Sequence, residues 1–270
     1  MKLSFIILNY KSERYLEQCL ISIMEKVTGL DFEIIIANND ENKLDSFSLK
    51  NLKNGYQKKI KIIEINKNIG FARGNNLAAK EALGKFMCFL NPDTRIISGD
   101  ILRLLNEFEK DKNIGVIGPK ILKGGNIQPW SVGVDMDIIE ILRSKLGWAK
   151  SKQLWSSNRK IEVDWVSGAS IFIRRDVFLE AGGFDENFFL YYEDVDLCKR
   201  IKRLKKEIIY FPKFEIDHLE GKSSTKRYEQ KTVYFKSQDY YFKKWFSLPA
   251  YYFLKFLRVF YLWKYRIKHE

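Results

Sequence analysis

Ile60-Lys61-Ile62-Ile63-Glu64-Ile65-Asn66-Lys67-Asn68-Ile69-Gly70-Phe71-Ala72-Arg73-Gly74-Asn75-Asn76-Leu77-Ala78-Ala79-Lys80-Glu81-Ala82-Leu83-Gly84 decides the fold. The apolar run Ile60 to Ile65 predicts a strand, and Leu77 to Leu83 predicts a helix that Gly84 stops. The same alternation extends both ways. Upstream, Leu3 to Leu8 is a continuous apolar run, as a buried strand requires. Leu16, Leu20, Ile23, Met24 and Val27 then recur at helical spacing behind Ser12, a candidate N-cap. Phe32 to Ala37 follows as a second strand. Downstream, Lys85 to Leu90 reads as a strand, Ser98 as the cap of a helix through Phe108, and Ile114 to Ile117 as a fifth strand. Strand and helix in alternation give an α/β fold, with a mostly parallel central sheet flanked by helices on both faces.

The second half changes character. Ile121 to Trp130, Ile161 to Trp165 and Ser170 to Ile173 predict shorter strands of mixed direction. A helix follows over Val195 to Leu204, then a strand pair, Glu207 to Phe211 and Phe214 to His218. The chain of 270 residues is 46 % hydrophobic and 15 % aromatic, which excludes disorder over most of its length. Cys19, Cys88 and Cys198 are far apart and form no CxxC pair, so buried thiols in a reduced compartment are expected. The opening Met1 to Leu8 is too short before Asn9 for a signal peptide and reads as the first strand. A formal charge of +13 points to an anionic partner. The excess of Lys and Arg from Lys199 onward favours a membrane surface or a phosphate-bearing substrate. No helix-turn-helix, zinc-finger or RNA-recognition signature is present, so nucleic acid is not expected.

In a parallel sheet, ligands sit at the carboxyl ends of the strands. Those ends carry Asn9-Tyr10, Asn38-Asn39-Asp40, Asn66 to Asn76, and Asn91-Pro92-Asp93-Thr94. Asp93, at a turn fixed by Pro92, suits a hard cation; the same residues also suit an ordinary Asx turn. The loop Asn68 to Asn76 is neither a P-loop nor GxGxxG. Gly70 and Gly74 allow the backbone near a ligand, and Arg73 can pair with phosphate; a tight strand-to-helix turn explains them equally well.

Phe184 to Leu197 packs Asp185, Glu186, Glu193, Asp194 and Asp196 among aromatics. Acids at a helix start complement its dipole, which accounts for Asp196. Burial among aromatics raises a carboxyl's proton affinity, as a general base needs, and is expected for Asp194 and for the nearby Asp185 and Glu186. His218 follows a strand and can join Asp93 on a cation, with Lys222 and Ser223 near enough to hold phosphate. An isolated histidine is also a common packing residue. The tail, residues 225–270, mixes Trp, Tyr and Phe with Lys255 and Arg258. It is too interrupted to span a bilayer, and suits an anionic membrane surface, a packed helix or a homodimer contact.

Taken in order, Ser4 to Tyr10, Asn68 to Asn76, Leu90 to Thr94, Trp165 to Ala169, Gly182 to Glu186, Phe189 to Leu197 and His218 to Ser223 resemble the family 2 glycosyltransferases of the GT-A fold, in particular the rhamnosyltransferase-like branch. The resemblance covers residues 1–224, as a nucleotide-binding half (1–118) and an acceptor half (119–224). It implies inverting transfer of a sugar, such as rhamnose, from a dTDP- or UDP-linked donor to a glycan or lipid-linked glycan. It implies a divalent cation, Mg²⁺ or Mn²⁺, on Asp93 and His218, and Asp194 as general base. Asn9, Asn38, Asp40, Asn68, Gly70, Arg73, Asn75, Asn91, Asp93 and Gly168 fall on the donor side. Trp165, Asp185, Glu193, Asp196, Lys222 and Ser223 fall on the acceptor side or support it. The expected place is the cytoplasmic membrane's inner face. The family's aspartate after the second strand is missing here, where the sequence is Ala37-Asn38-Asn39-Asp40. A non-catalytic nucleotide-sugar binder and a basic membrane- or nucleic-acid-binding module are the competing classes.

Overall fold

A computed structural model describes residues 3–44, 57–219 and 227–267. Lys222 and Ser223 lie outside the described residues. Four strands form the first half of the main sheet: β1 (Leu3–Asn9), β2 (Phe32–Asn38), β3 (Ile60–Glu64) and β4 (Phe86–Leu90). They pair in parallel in the order β3-β2-β1-β4, so their carboxyl ends share one rim. Side chains alternate across a strand. Phe5 and Ile7 of β1 therefore join one core, and Ile6 and Leu8 the other. Helices α1 (Glu13–Lys26) and α3 (Ile101–Lys110) cover the first face; α2 (Phe71–Ala79) covers the second. Cys19, Cys88 and Cys198 are buried free thiols, as expected.

The sheet continues through β11 (Ser170–Arg174), β6 (Ile114–Lys123), β12 (Glu207–His218) and β5 (Thr94–Ser98). Strand β11 is antiparallel to both β4 and β6, while β6 and β12 run parallel. The reversal at β11 sets Ser170 opposite Leu90 and brings the preceding turn to the rim of β4. Short strands β7 (Asn126–Ile127) and β9 (Ile161–Val163) add to β6 and β12; β8 (Val132–Gly133) and β10 (Trp165–Val166) form a separate pair. Helices α4 (Ile138–Lys145), α5 (Ser151–Trp155) and α6 (Arg175–Glu180) precede α7 (Glu193–Arg203). Two long helices, α8 (Arg227–Trp245) and α9 (Leu248–Ile267), follow the sheet. Tyr241 and Phe242 of α8 are fully buried in the same core as α7.

Several boundaries differ from the sequence reading, each for a physical reason. Glu207 to His218 is one strand, not two. Pro212 has no N–H for the ladder, and the register slips between Phe211 and Glu215 while the strand continues. Ser98 ends β5, and it is Asp100 that caps α3, accepting from the Leu102 and Arg103 amides. Ser12 precedes α1, but its hydroxyl donates to the Tyr10 carbonyl instead of capping. Helix α2 starts at Phe71, six residues before the predicted Leu77, because the Phe71 amide is anchored at 2.6 Å on the Phe189 carbonyl. That tertiary bond overrides the poor helix propensity of Gly74, Asn75 and Asn76.

Candidate active site

The rim of β1 and β2 is an amide network. Asn9 and Asn38 are fully buried, and the Asn9 amide donates to the Asn38 side chain at 2.9 Å. Asn38 donates in turn to Glu64 at 2.7 Å and to the Asn42 carbonyl at 2.8 Å. Asp40, also buried, accepts from the Lys11 and Asn42 amides. Sequence reading placed Asn9, Asn38 and Asp40 on the nucleotide. The fold places them under the rim, where they shape its floor. Asn68 accepts from the Gly70 amide and from Asn39, closing the third strand end onto the second.

The loop after β3 locks onto the acid-rich segment. Gly70 has φ +91°, and a Cβ there would lie 2.8 Å from the Phe189 carbonyl oxygen, so only glycine fits without strain. Arg73, a candidate phosphate partner, is ion-paired with Glu186 at 3.0 Å. The Asn75 amide folds back onto the Phe71 carbonyl inside α2. Arg73 thus ties the loop to the acid-rich segment, and Asn75 stays within α2.

Asp93 and His218 do meet. Strand β5 pairs antiparallel with β12, setting His218 opposite Thr94. His218 Nε2 lies 3.2 Å from Asp93 Oδ1 and 3.5 Å from the Asn91 amide nitrogen. Nδ1 lies 3.0 Å from Gln128 Oε1. Gln128 thus faces one ring nitrogen and the Asp93 carboxylate the other. One carboxylate and one imidazole fit a cation that takes its remaining ligands from a diphosphate. Among the described residues, no group of three or more His, Cys, Asp or Glu side chains gathers to hold a metal alone. Nothing in the sequence singled out Gln128; it comes from the β6–β7 hairpin region, 90 residues from its partner.

Asp194 is joined to the end of β4 by the turn that precedes β11. The Asn91 amide donates to the Ala169 carbonyl at 3.0 Å, and the adjacent Gly168 amide donates to Asp194 Oδ2 at 2.7 Å. Asp194 Oδ1 accepts from the Val195 amide at 2.8 Å. Burial raises the proton affinity of Asp194 despite these bonds. Glu193 is raised well above the ordinary range by its own burial and then by the charge of Asp194. Both carboxyls of the pair thus hold a proton more readily than free ones, and burial is the first cause in each. Before them, Tyr191 and Tyr192 both adopt left-handed backbone, at φ 72° and 68°. Two such residues in succession store strain that surrounding contacts must hold.

Helix α8 holds it. Gln238 donates to the Tyr192 hydroxyl at 2.8 Å, Ser237 donates to the Leu190 carbonyl at 2.7 Å, and the Tyr234 and Tyr241 rings pack on Tyr192. Asp196 is fully buried and takes the Arg200 guanidinium, the Trp245 indole N–H and the Lys244 ammonium, each within 2.8 Å. Asp196 is thus a clamp for α8 as well as a first-turn acid. Asp185 does not behave as a buried base. Burial pushes its carboxyl up, but Lys244, Asn187 and Tyr240 together outweigh that and lower it to about 2. Glu186 is likewise lowered, first by the Asn76 amide and then, against burial, by Arg73. A cavity of about 910 Å³ opens beside Glu193 and Asp194, between α4, α8 and α9. Trp165 lines it, with its indole N–H donated to the Val134 carbonyl at 2.8 Å. Asp93 and His218 are not among its walls; the link between the two places is the Asn91 amide on the Ala169 carbonyl, next to the Gly168 amide that holds Asp194.

A mixed sheet with a nucleotide-type rim and an acidic helix start is the GT-A architecture. GalNAc-T7 with UDP, GalNAc and Mn²⁺ superposes with a TM-score of 0.60 at 16 % identity, over 81 % of this chain and 44 % of that one. Staphylococcus aureus TarS 1–349 in complex with UDP-GlcNAc gives 0.55 at 19 % identity, over 84 % and 62 %. Residues 4–180 match the family model "Glycosyl transferase family 2", and the chain belongs to that family. It is 27 % identical to the low-salt glycan biosynthesis hexosyltransferase Agl10 of Haloferax volcanii, over 74 % of this chain and 62 % of that protein. It is 30 % identical to the N-acetylglucosaminyl-diphospho-decaprenol L-rhamnosyltransferase of Mycobacterium tuberculosis, over 50 % and 47 %. The chain therefore spans about half to three-fifths of these two relatives' length.

Proposed function

We propose that the protein is an inverting glycosyltransferase that moves a sugar from a nucleotide-diphosphosugar, dTDP- or UDP-linked, to a hydroxyl of a glycan or lipid-linked glycan. One observation carries this reading: Asp194, with raised proton affinity, is tied through Gly168 and Ala169 to the Asn91–Asp93 turn that meets His218. Family membership and relatives named as hexosyl- and rhamnosyltransferases support it.

The Asn91–Asp93 rim and the glycine-bearing loop after β3 receive the nucleoside diphosphate. Asp93 and His218 would hold a Mg²⁺ or Mn²⁺ ion, which supplies charge neutralisation for the departing diphosphate. Asp194 takes the proton from the acceptor hydroxyl as that oxygen bonds to the anomeric carbon. The bond from that carbon to the diphosphate oxygen breaks on the opposite face, so configuration inverts. Glu193 beside it has its proton affinity raised by burial and then by the Asp194 charge. The Gly168 and Val195 amides keep Asp194 aimed.

Replacing Asp194 with Asn is expected to cost about 10²–10⁴-fold in kcat while donor affinity is retained. Turnover near wild type would refute the base assignment. In the wild type, the rate is expected to fall with pH through a carboxyl pKa above the ordinary 3.8, because the base must be ionised. We further propose attachment to the inner face of the cytoplasmic membrane. Helix α9 exposes Tyr252, Phe253, Phe256 and Val259 beside the cationic Lys255. Among the described residues no helix is long and apolar enough to cross a membrane. Phe253→Asp with Phe256→Asp is expected to release the protein from phosphatidylglycerol vesicles; unchanged binding would remove α9 from this role.

A further inference from the structure

Arg258 of α9 lines the cavity beside Asp194, and its guanidinium is turned onto α8. Nη1 and Nη2 reach the two carboxylate oxygens of Asp239 at 3.0 and 2.7 Å, which ties the two helices together. Nη2 also donates to Gln238 Oε1 at 2.9 Å, and this second bond has a direction. A guanidinium carries only donors, so it takes the carbonyl end of the Gln238 amide and leaves the NH₂ end for another acceptor. Nε2 then donates to the Tyr192 hydroxyl at 2.8 Å. That hydroxyl, already accepting, has its own hydrogen to give to the Tyr234 hydroxyl, 3.1 Å away. The polar chain therefore runs one way, from the cation on α9 to two tyrosines, and each bond polarises the next. Gln238 and Tyr192 are both 5 % exposed, so a bond lost here is lost in a buried place.

Tyr192 is the residue from which α7 starts. Its backbone is left-handed, at φ 68°, and its carbonyl accepts from the Asp196 amide at 2.9 Å. Asp194 stands between those two residues, in the first turn. A tyrosine in that conformation stays there only while its surroundings hold it, and the turn that follows moves with it. We propose that Arg258 is a positioning residue for the reaction: by fixing the Gln238 amide it keeps Tyr192 in its left-handed conformation and the Asp194 carboxylate aimed into the cavity. The assignment rests on the transferase reading above for what Asp194 does. It adds α9 to the elements on which that reading depends.

Two substitutions separate this role from that of a plain helix clamp. Gln238→Met cuts the polar chain and leaves the Arg258–Asp239 ion pair. Asp239→Asn weakens the ion pair and leaves the chain. Amide hydrogen exchange is read by mass spectrometry on the full chain. Gln238→Met is expected to speed exchange across residues 190–195 by about tenfold or more, with α9 within about twofold of the wild type. Asp239→Asn is expected to do the opposite. Arg258→Met should loosen both places, and Arg258→Lys, which keeps a donor for Gln238, should restore residues 190–195. That Arg258 pair keeps the test sound if Gln238→Met fails to fold. The proposal is overturned if residues 190–195 are unchanged in Gln238→Met, if Gln238→Met and Asp239→Asn loosen the same amides equally, or if Arg258→Lys restores nothing. The second readout is release of UDP or dTDP from their sugars, with water or methyl hexosides as acceptor. Gln238→Met is expected to lower kcat about tenfold with the donor KM unchanged, and a change in KM alone also overturns the proposal. A wild type that releases neither nucleotide, or an Asp194→Asn variant that releases one at the wild-type rate, refutes the transferase reading while the exchange contrast still stands.

Discussion

The rim of β1 to β4 and the segment Phe184 to Leu197 both present polar groups at one edge of the sheet, but they are stabilised differently. The rim is built chiefly from side-chain amides, with Glu64 and Asp40 as acceptors. Asn9, Asn38, Asn39 and Asn68 bond to one another and to nearby backbone, at positions that the parallel ladder has already fixed. The acid-rich segment uses charge and strain. Asp185 and Asp196 share Lys244, and the left-handed Tyr191–Tyr192 pair is restrained by α8. Those partners lie 42 to 59 residues further along the chain. A periodic ladder can therefore build a polar edge from local sequence, whereas a buried carboxylate in strained backbone needs distant elements to hold it.

The largest expected contrast is between two buried polar deletions. Asp196→Ala leaves Lys244 and Arg200 without their buried partner, and urea unfolding should show a loss of roughly 3–5 kcal/mol. Asn9→Ala removes a neutral donor from the rim, and should cost only about 1–3 kcal/mol. Equal losses would erase the distinction between the two regions. Gly70→Ala probes where they touch. Its φ of +91° and the 2.8 Å approach to the Phe189 carbonyl leave no room for a methyl group. Thermal unfolding should report about 1–3 kcal/mol of destabilisation. A neutral result would mean that the loop and the segment are independent. Gln128→Leu removes the partner of His218 Nδ1, and should weaken the metal dependence of donor binding by about 10–100-fold in a metal titration. An unchanged titration would dismiss Gln128 as a positioning residue.

The smallest effect concerns pH. Asp185 is lowered from 3.8 to about 2 in the folded protein, so its contribution is complete above the unfolded value and disappears as pH falls from about 4 towards 2. Lys244→Met removes the strongest of the partners that lower it. The variant should be less stable at neutral pH and lose less on acidification across that window. Parallel acid-unfolding curves would show that Lys244 does not act through Asp185.

Much of this was readable from residue order. The strands β1 to β4 announce themselves as apolar runs, and a parallel sheet puts Asn9, Asn38 and Asn91 on one rim whatever else the chain does. The resemblance of residues 189–197 to a family motif pointed to Asp194. Other features left no periodic trace. Nothing local marks Glu207 to His218 as one strand across Pro212, or shows that Arg73 faces Glu186. The lowered carboxyl of Asp185 also escaped, because an aromatic neighbourhood in sequence suggests burial but not the ammonium that comes from α8.

By itself, then, the sequence determined the α/β alternation, the polar strand ends and the acidic start of α7, because backbone periodicity and helix-end chemistry act over a few residues. Tertiary structure alone decided that β11 runs antiparallel and carries Gly168 to Asp194, that Gln128 orients His218, and that α8 restrains the tyrosine pair. Those contacts join residues tens of positions apart, and their free energy exists only once the sheet has brought them together.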